Sequence, residues 1–224
     1  MLIVTPRPRV GLPVGACTLV LAVALSGCAG DETRAEADPA SRAPAPTSGA
    51  PPWLAPPNPL ERTRAAGLVP LRREILTFHR HAHLDVIVNG EPVSVPAGIG
   101  IAISDPGVKR FETPFGAGYG RIEGCDDPCI SPLHTHDPSG VIHTEAAIER
   151  LNNLGQFFGE WGLRLDGFCV GGYCRPMATI QVFVDGDPYA GDPADIELTD
   201  EEEIAIVIGS APAEIPSAYD FSDV

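Results

Sequence analysis

Positive charge is scarce in this chain. Its 224 residues hold 15 Lys and Arg against 30 Asp and Glu, a formal charge of −15, and Lys109 is the only lysine. Nucleic-acid binding rests on neutralising phosphates, so a chain this acidic with no basic stripe falls outside that class. Methionine is scarcer still, with only Met1 and Met177. That excludes a methionine-rich cuprous carrier, because soft sulfur ligands are what select Cu(I). Beyond residue 25 no apolar run approaches the roughly 20 residues of a membrane span. No G-x-S-x-G and no phosphate-binding glycine loop occurs, so a serine nucleophile or a nucleotide cradle has no support. Glycine and proline, by contrast, number 24 each, well above the usual roughly 12% together. That excess favours turns and short strands over a helical bundle. The 44% hydrophobic content suffices for one core.

The N-terminus reads as an export signal. Arg7 and Arg9 precede an uncharged, largely apolar run from Val10 to Leu25, and Leu25-Ser26-Gly27-Cys28 follows. Small residues before a cysteine form the pattern of a bacterial lipoprotein leader spanning residues 1–27. Cys28 then becomes the lipidated N-terminus. Two or three acyl chains there, palmitate among them, would hold the protein stably on a membrane. Removing the leader, which carries two arginines and no acid, takes the formal charge from −15 to −17. Residues 28–61 are rich in Ala, Pro and Ser and show no helical or alternating period, so they are expected to form a disordered tether. A single folded domain is expected over 62–217, with 218–224 as a tail.

Six cysteines are present, and four remain once Cys17 and Cys28 are set aside: Cys125, Cys129, Cys169 and Cys174. An even number in an exported chain reads as two disulfides. The C-x3-C and C-x4-C spacings match zinc sites poorly. Three pairings are open, and the two short loops favour the local ones.

The domain is expected to be mainly β, built of antiparallel hairpins and sheets with one or two short helices. From Ala82 to Val88 the chain alternates. Ala82, Leu84, Val86 and Val88 share one face, with His81, His83, Asp85 and Ile87 on the other. Further strands are expected over Val93–Ile103, broken by Pro96 and Gly98, and over Ile180–Val184, Ile196–Leu198 and Ile204–Ile208. Asn89-Gly90 and Asp185-Gly186 are hairpin turn signals in matching V-x-V-[ND]-G-x-P contexts. One helix is indicated by Asn153 as cap, with Gln156 at its third position. Leu154, Phe157, Phe158 and Trp161 follow at helical spacing, and Gly162 stops it.

All six histidines fall in two motifs. In His79-Arg80-His81-Ala82-His83-Leu84-Asp85, alternate residues lie on one strand face, roughly 6.5–7 Å apart. In His134-Thr135-His136-Asp137-Pro138-Ser139-Gly140-Val141-Ile142-His143-Thr144-Glu145, the Asp-Pro-Ser-Gly turn suits a hairpin. That hairpin sets His134 across from His143, with Cβ atoms about 4.5–5.5 Å apart and His136 on the diagonal. Such convergence reads as a metal site of His81, His83, His134, His136 and His143. His79, Asp85, Asp137 and Glu145 are further ligands or hydrogen-bond partners, Asp137 either fixing a ligand's tautomer or capping its own turn. Imidazole suits Zn, Cu, Fe and Ni, and three rings with an open position favour Zn²⁺ or Cu²⁺. His81-Ala-His83-Leu-Asp85 resembles the H-x-H-x-D-H of metallo-β-lactamase hydrolases, but Val86 stands where the last histidine belongs. The cupin and multicopper oxidase patterns are not met either.

Five ordered blocks carry a broader resemblance: Ala66-Gly67-Leu68, HAHLDVIVNGEPVSVPAGIGI (81–101), SPLHTHDPSGVIHTE (131–145), LGQFFGEWG (154–162) and EIAIVIG (203–209). Together they resemble an uncharacterised family of secreted or membrane-anchored bacterial proteins. The resemblance spans about residues 65–210 and implies one exported domain but no activity. His79 precedes the block that opens at His81. The expected function is therefore an extracytoplasmic, lipid-anchored protein that binds a divalent transition metal for capture, delivery or sensing. A metalloenzyme with a three-histidine site, or a metal-free domain that responds to pH, are the alternatives.

Overall fold

A computed structural model of the protein describes residues 53–224. The leader of residues 1–27, Cys28 and the tether up to residue 52 lie outside the described residues. In chain order the elements are α1 (Pro59–Ala65), β1 (Phe78–Val88), β2 (Glu91–Val93), β3 (Lys109–Thr113), β4 (Gly116–Gly120), β5 (Leu133–His134) and β6 (Val141–Ala146). There follow α2 (Leu154–Trp161), β7 (Cys169–Val170), β8 (Tyr173–Cys174), β9 (Ile180–Val184), β10 (Asp187–Pro188) and β11 (Glu202–Ile208). Short 3-10 turns occur at Pro193–Asp195 and Phe221–Asp223. Among the described residues no helix is long and apolar enough to cross a membrane.

One seven-stranded sheet dominates, in the order β10-β9-β11-β1-β6-β5, with β2 beside the far end of β1. The domain is mainly β and rich in antiparallel hairpins, as the composition implies. Its central pair differs: β1 and β11 run parallel, with Leu84 beside Ile204 and Val86 beside Ile206. A parallel pair needs a long crossover, which here contains α2 and most of the chain. The two NG and DG turns close the β1–β2 and β9–β10 hairpins. Asn89, Gly90, Asp185 and Gly186 all have positive φ, as tight hairpin turns of this type require.

The sheet's two faces differ in chemistry because side chains alternate along each strand. Ala82, Leu84, Val86, Ile142, Ile204 and Ile206 point to one face and are buried. Against them packs α2, whose Leu154, Phe157, Phe158 and Trp161 complete the core. The helix starts on a capping box between Asn153 and Gln156 and ends at Gly162 in the left-handed region. The other face carries the histidines at one end and a small cluster of Ile87, Phe183, Ala205 and Val207 at the other, against which Ile215 packs.

Several expected boundaries are corrected. The Val93–Ile103 strand stops at Val93, because Pro96 lacks a donor and Gly98 and Gly100 adopt positive φ. That segment instead exchanges hydrogen bonds with Thr135. Ile196–Leu198 is not a ladder strand. Its backbone bonds to Asn152 and Leu154, and its alternation reflects the burial of Ile196 and Leu198. The folded unit begins before residue 62, since Trp53 packs on Trp161 at 5.6 Å between ring centroids. Residues 218–224 are no loose tail: Tyr219 stacks on the His83 ring at 4.0 Å. Disulfides join Cys125 to Cys129 and Cys169 to Cys174, the latter across the β7–β8 pair.

If α2 is the cover of the core, truncating its fully buried Phe158 is costly. Phe158→Ala is expected to lower unfolding stability by about 3–5 kcal/mol. Urea denaturation should show a lower midpoint at unchanged slope; an unchanged midpoint would contradict this packing.

Candidate metal centre

Strand register builds the site. In β5 and β6 His134 pairs with His143, and in β6 and β1 His143 pairs with His81. The three rings therefore lie in one row across three strands. One step along, Glu145 pairs with His79, on the same face as the row. Beyond β5 the chain leaves the hairpin, so Thr135 and His136 do not pair with Ile142 and Val141. Thr135 bonds to Gly98 and Ile99, and His136 crosses to β4. There its Nδ1 meets the Tyr119 carbonyl at 2.6 Å. Gly120 permits this approach, since a Cβ at that position would sit 2.6 Å from the His136 ring.

The nitrogens converge closely. His134 Nε2 lies 3.2 Å from His136 Nε2. His79 Nε2 lies 3.1 Å from His81 Nε2 and 3.2 Å from His143 Nδ1. Glu145 Oε1 sits 3.5 Å from His79 Nε2 and 3.6 Å from His134 Nε2, while the Ile75 amide donates to its Oε2. His134, His143 and Glu145 are buried, and His79 stands at the solvent edge, its side chain 30% exposed.

Backbone carbonyls fix where the ring hydrogens of two histidines sit. The His134 Nδ1 is 2.8 Å from the Ser131 carbonyl, and a carbonyl only accepts, so that nitrogen carries the hydrogen. The same holds for His136 Nδ1 against Tyr119. In the neutral rings both Nε2 atoms then hold lone pairs, and these face each other at 3.2 Å. Burial holds His134 well below the ordinary histidine range, and the neighbouring His136 adds to the effect. Burial does the same to His143, and burial followed by His79 pushes His81 down to about 4. The charged form is therefore disfavoured at His134, His143 and His81, and a metal cation fits lone pairs that face each other at this distance. Two nitrogens 3.1–3.2 Å apart suit one ion with bonds of roughly 2.0–2.1 Å at about 100°.

Glu145 is raised to about 7, first by burial and then by Glu74. Glu74 was not foreseen from the sequence, where nothing marks it. Its Oε1 is buried without a hydrogen-bond partner, and it approaches Gly120 beside His136. Ser131, which anchors His134 through its carbonyl, donates its hydroxyl to the buried Glu160 at 2.5 Å.

Three expected residues stand elsewhere. Asp137 does not fix a ligand tautomer; its Oδ1 accepts the Ser139 amide within its own turn. His83 stands apart from the other five histidines, in a separate group with Asp85 and Glu203 whose ligand atoms also lie within 4.8 Å of one another. Its Nδ1 is 2.7 Å from Glu203 Oε2 and its Nε2 is 2.9 Å from the Ser139 carbonyl. Burial works against charge on His83, but the Glu203 carboxylate and the Ser139 carbonyl outweigh it and hold the ring above its ordinary value. Asp85 belongs to this pair's surroundings, 3.9 Å from His83 Nδ1. Gly140 makes room for the ring: it has φ 97°, and a Cβ there would lie 2.8 Å from His83 Nε2.

The ion pair of His83 and Glu203 should be costly to break, because removing one partner strands a buried charge. His83→Ala is expected to lower stability by about 3–5 kcal/mol while leaving metal stoichiometry unchanged. Calorimetric melting and elemental analysis of the same sample check both halves; a lost metal would return His83 to the ligands. Comparison of the chain with family models, with curated proteins and with solved structures finds no match.

Proposed function

We propose that the chain is an extracytoplasmic lipoprotein, anchored through Cys28, that binds a divalent transition metal through its histidine cluster for capture, delivery or sensing. The observation that carries the metal reading is the pair of Nε2 lone pairs of His134 and His136, facing each other at 3.2 Å with both Nδ1 atoms committed to carbonyls. Zn²⁺ or Cu²⁺ fits the neutral imidazole set best. The four cysteines of the domain are tied up in disulfides and offer no thiolate. Those disulfides also support an oxidising compartment, in agreement with the leader pattern and with the resemblance to exported proteins.

The test is titration of the full chain, free of affinity tags, with Zn²⁺ and Cu²⁺. A metal bound only by the folded state adds about 2.7 kcal/mol of stability at a hundredfold excess over its Kd. His134→Ala should lose most of that gain. Equal stabilisation of wild type and variant by every metal tried would overturn the reading.

Acid response has a definite sign. An unfolded histidine takes up its proton near pH 6.5, whereas the buried His134 and His143 resist it. Their contribution is complete above about pH 6.5 and is lost as pH falls below it, each ring costing about 1.4 kcal/mol per pH unit until its folded pKa is reached. In the metal-free protein this loss is opposed by the buried carboxyls of Glu145, raised to about 7, and Glu160, raised to about 8, which gain stability as pH falls over the same interval. Within the folded cluster His81 takes up its proton only at about 4. Bound metal is therefore expected to persist at pH 5.5 and to leave toward pH 4. Stepwise dialysis with elemental analysis checks this, and release at pH 6.5 would contradict it.

The anchor has its own test. Cys28→Ala should shift the protein from the membrane to the soluble fraction or leave its leader uncleaved. A variant of mature size that still requires detergent would remove the lipoprotein reading.

A further inference from the structure

We infer that the histidine cluster holds two metal ions side by side, bridged by the Glu145 carboxylate. This rests on the metal reading above and goes beyond it in stoichiometry and chemistry. One four-coordinate ion uses four ligands, yet five imidazoles and one buried carboxylate converge here. Their ligand atoms divide into two sets, each with all members within 4.8 Å of one another: His134, His136, His143 and Glu145 in one, His79, His81 and His143 in the other.

His143 belongs to both sets, but its Nδ1 lies 3.2 Å from His79 Nε2. That places it with His79 and His81 as a three-nitrogen cap for the outer ion. His134 and His136, held by their carbonyls, face the inner ion. Glu145 Oε1 stands between, 3.5 Å from a nitrogen of the outer set and 3.6 Å from one of the inner set. A carboxylate so placed can serve two ions at once, and ions in such pairs lie roughly 3.5–4 Å apart. Two divalent ions bring a charge of +4, which the carboxylates of Glu145 and nearby Glu74 partly offset. The inner ion then has two nitrogens and one carboxylate oxygen from the protein. It retains an open position for water or for an oxyanion spanning both ions.

The experiment is the stoichiometry of the full chain, loaded with Zn²⁺ and dialysed to constant metal content, read by elemental analysis against protein concentration. Two equivalents are expected. The double variant His79→Ala with His81→Ala should retain one, and so should His134→Ala with His136→Ala. One equivalent in wild type overturns the pair but leaves the mononuclear reading standing. None overturns both. Two equivalents that persist in either double variant overturn the pair, because one ion then lies outside the cluster. A double variant that keeps its native circular dichroism yet binds none also overturns it, since the halves would then form one site. Should one double variant fail to fold, the other carries the comparison.

Discussion

The pairing of β6 between β1 and β5 is the constraint on which the site depends. Because that register puts His134, His143 and His81 in one row, three imidazoles share a face without any loop being recruited. Glu145 and His79 follow two residues along, by the period of the strand alone. A slip of one residue in β6 would turn its ligands toward Phe157 and Phe158 and bring Ile142 and Thr144 to the histidine face. The core on the far side opposes such a slip, since Ile142 is as deeply buried there as Leu84 and Ile204. Packing on one face thereby fixes coordination geometry on the other.

Three histidines on one strand reach two electrostatic outcomes. Burial and neighbouring imidazoles shift His79 and His81 toward the neutral form, whereas at His83 a carboxylate outweighs burial and favours the charged form. The difference lies in the neighbours. β6 flanks the first two with Glu145 and His143, and β11 flanks the third with Glu203. The ion pair of His83 and Glu203 ties the parallel strand to β1 at the edge of the cluster. Tyr219 lies over it at 4.0 Å, so the C-terminal segment is fastened to the same face. One end of that face is thereby made rigid by charge, and the neighbouring end keeps its lone pairs for a cation.

What could be read from the sequence was local. The turn at Asp137–Gly140, the alternation of β1, the capping box of α2 and the two short disulfide loops are each written within about a dozen residues. The pairing of His134 with His143 follows from the first of these. The separation of His83 from the other histidines was not legible, because it depends on a carboxylate 120 residues away delivered by a parallel pairing. Strand alternation shows which residues share a face but not what covers them. The same limit hid Glu74, whose segment carries no periodic signal, and the Ser131 and Tyr119 carbonyls, which any residue type could supply. Asp137 was ambiguous for a local reason: an aspartate before Pro-Ser-Gly can satisfy its own turn, and that nearest partner is the one it takes.

The two halves of the cluster differ in how firmly their rings are held. His134 and His136 each have a carbonyl behind the ring, and His134 is backed further by Ser131 on Glu160. Such partners fix both tautomer and orientation before a metal arrives, so little ordering remains for binding to supply. No carbonyl anchor of this kind is formed behind His79 or His81 among the described residues, and both stand toward solvent. With no carbonyl to fix them, their rings have more orientational entropy for coordination to remove. The inner pair is thus the preorganised part and the outer pair the adaptable one. On the proposed reading, an ion arriving from solvent would meet the adaptable rings first and be retained by the fixed ones, the order of contacts that capture or delivery would need. A purely structural site, closed on all sides, would have no use for an exposed histidine at its rim.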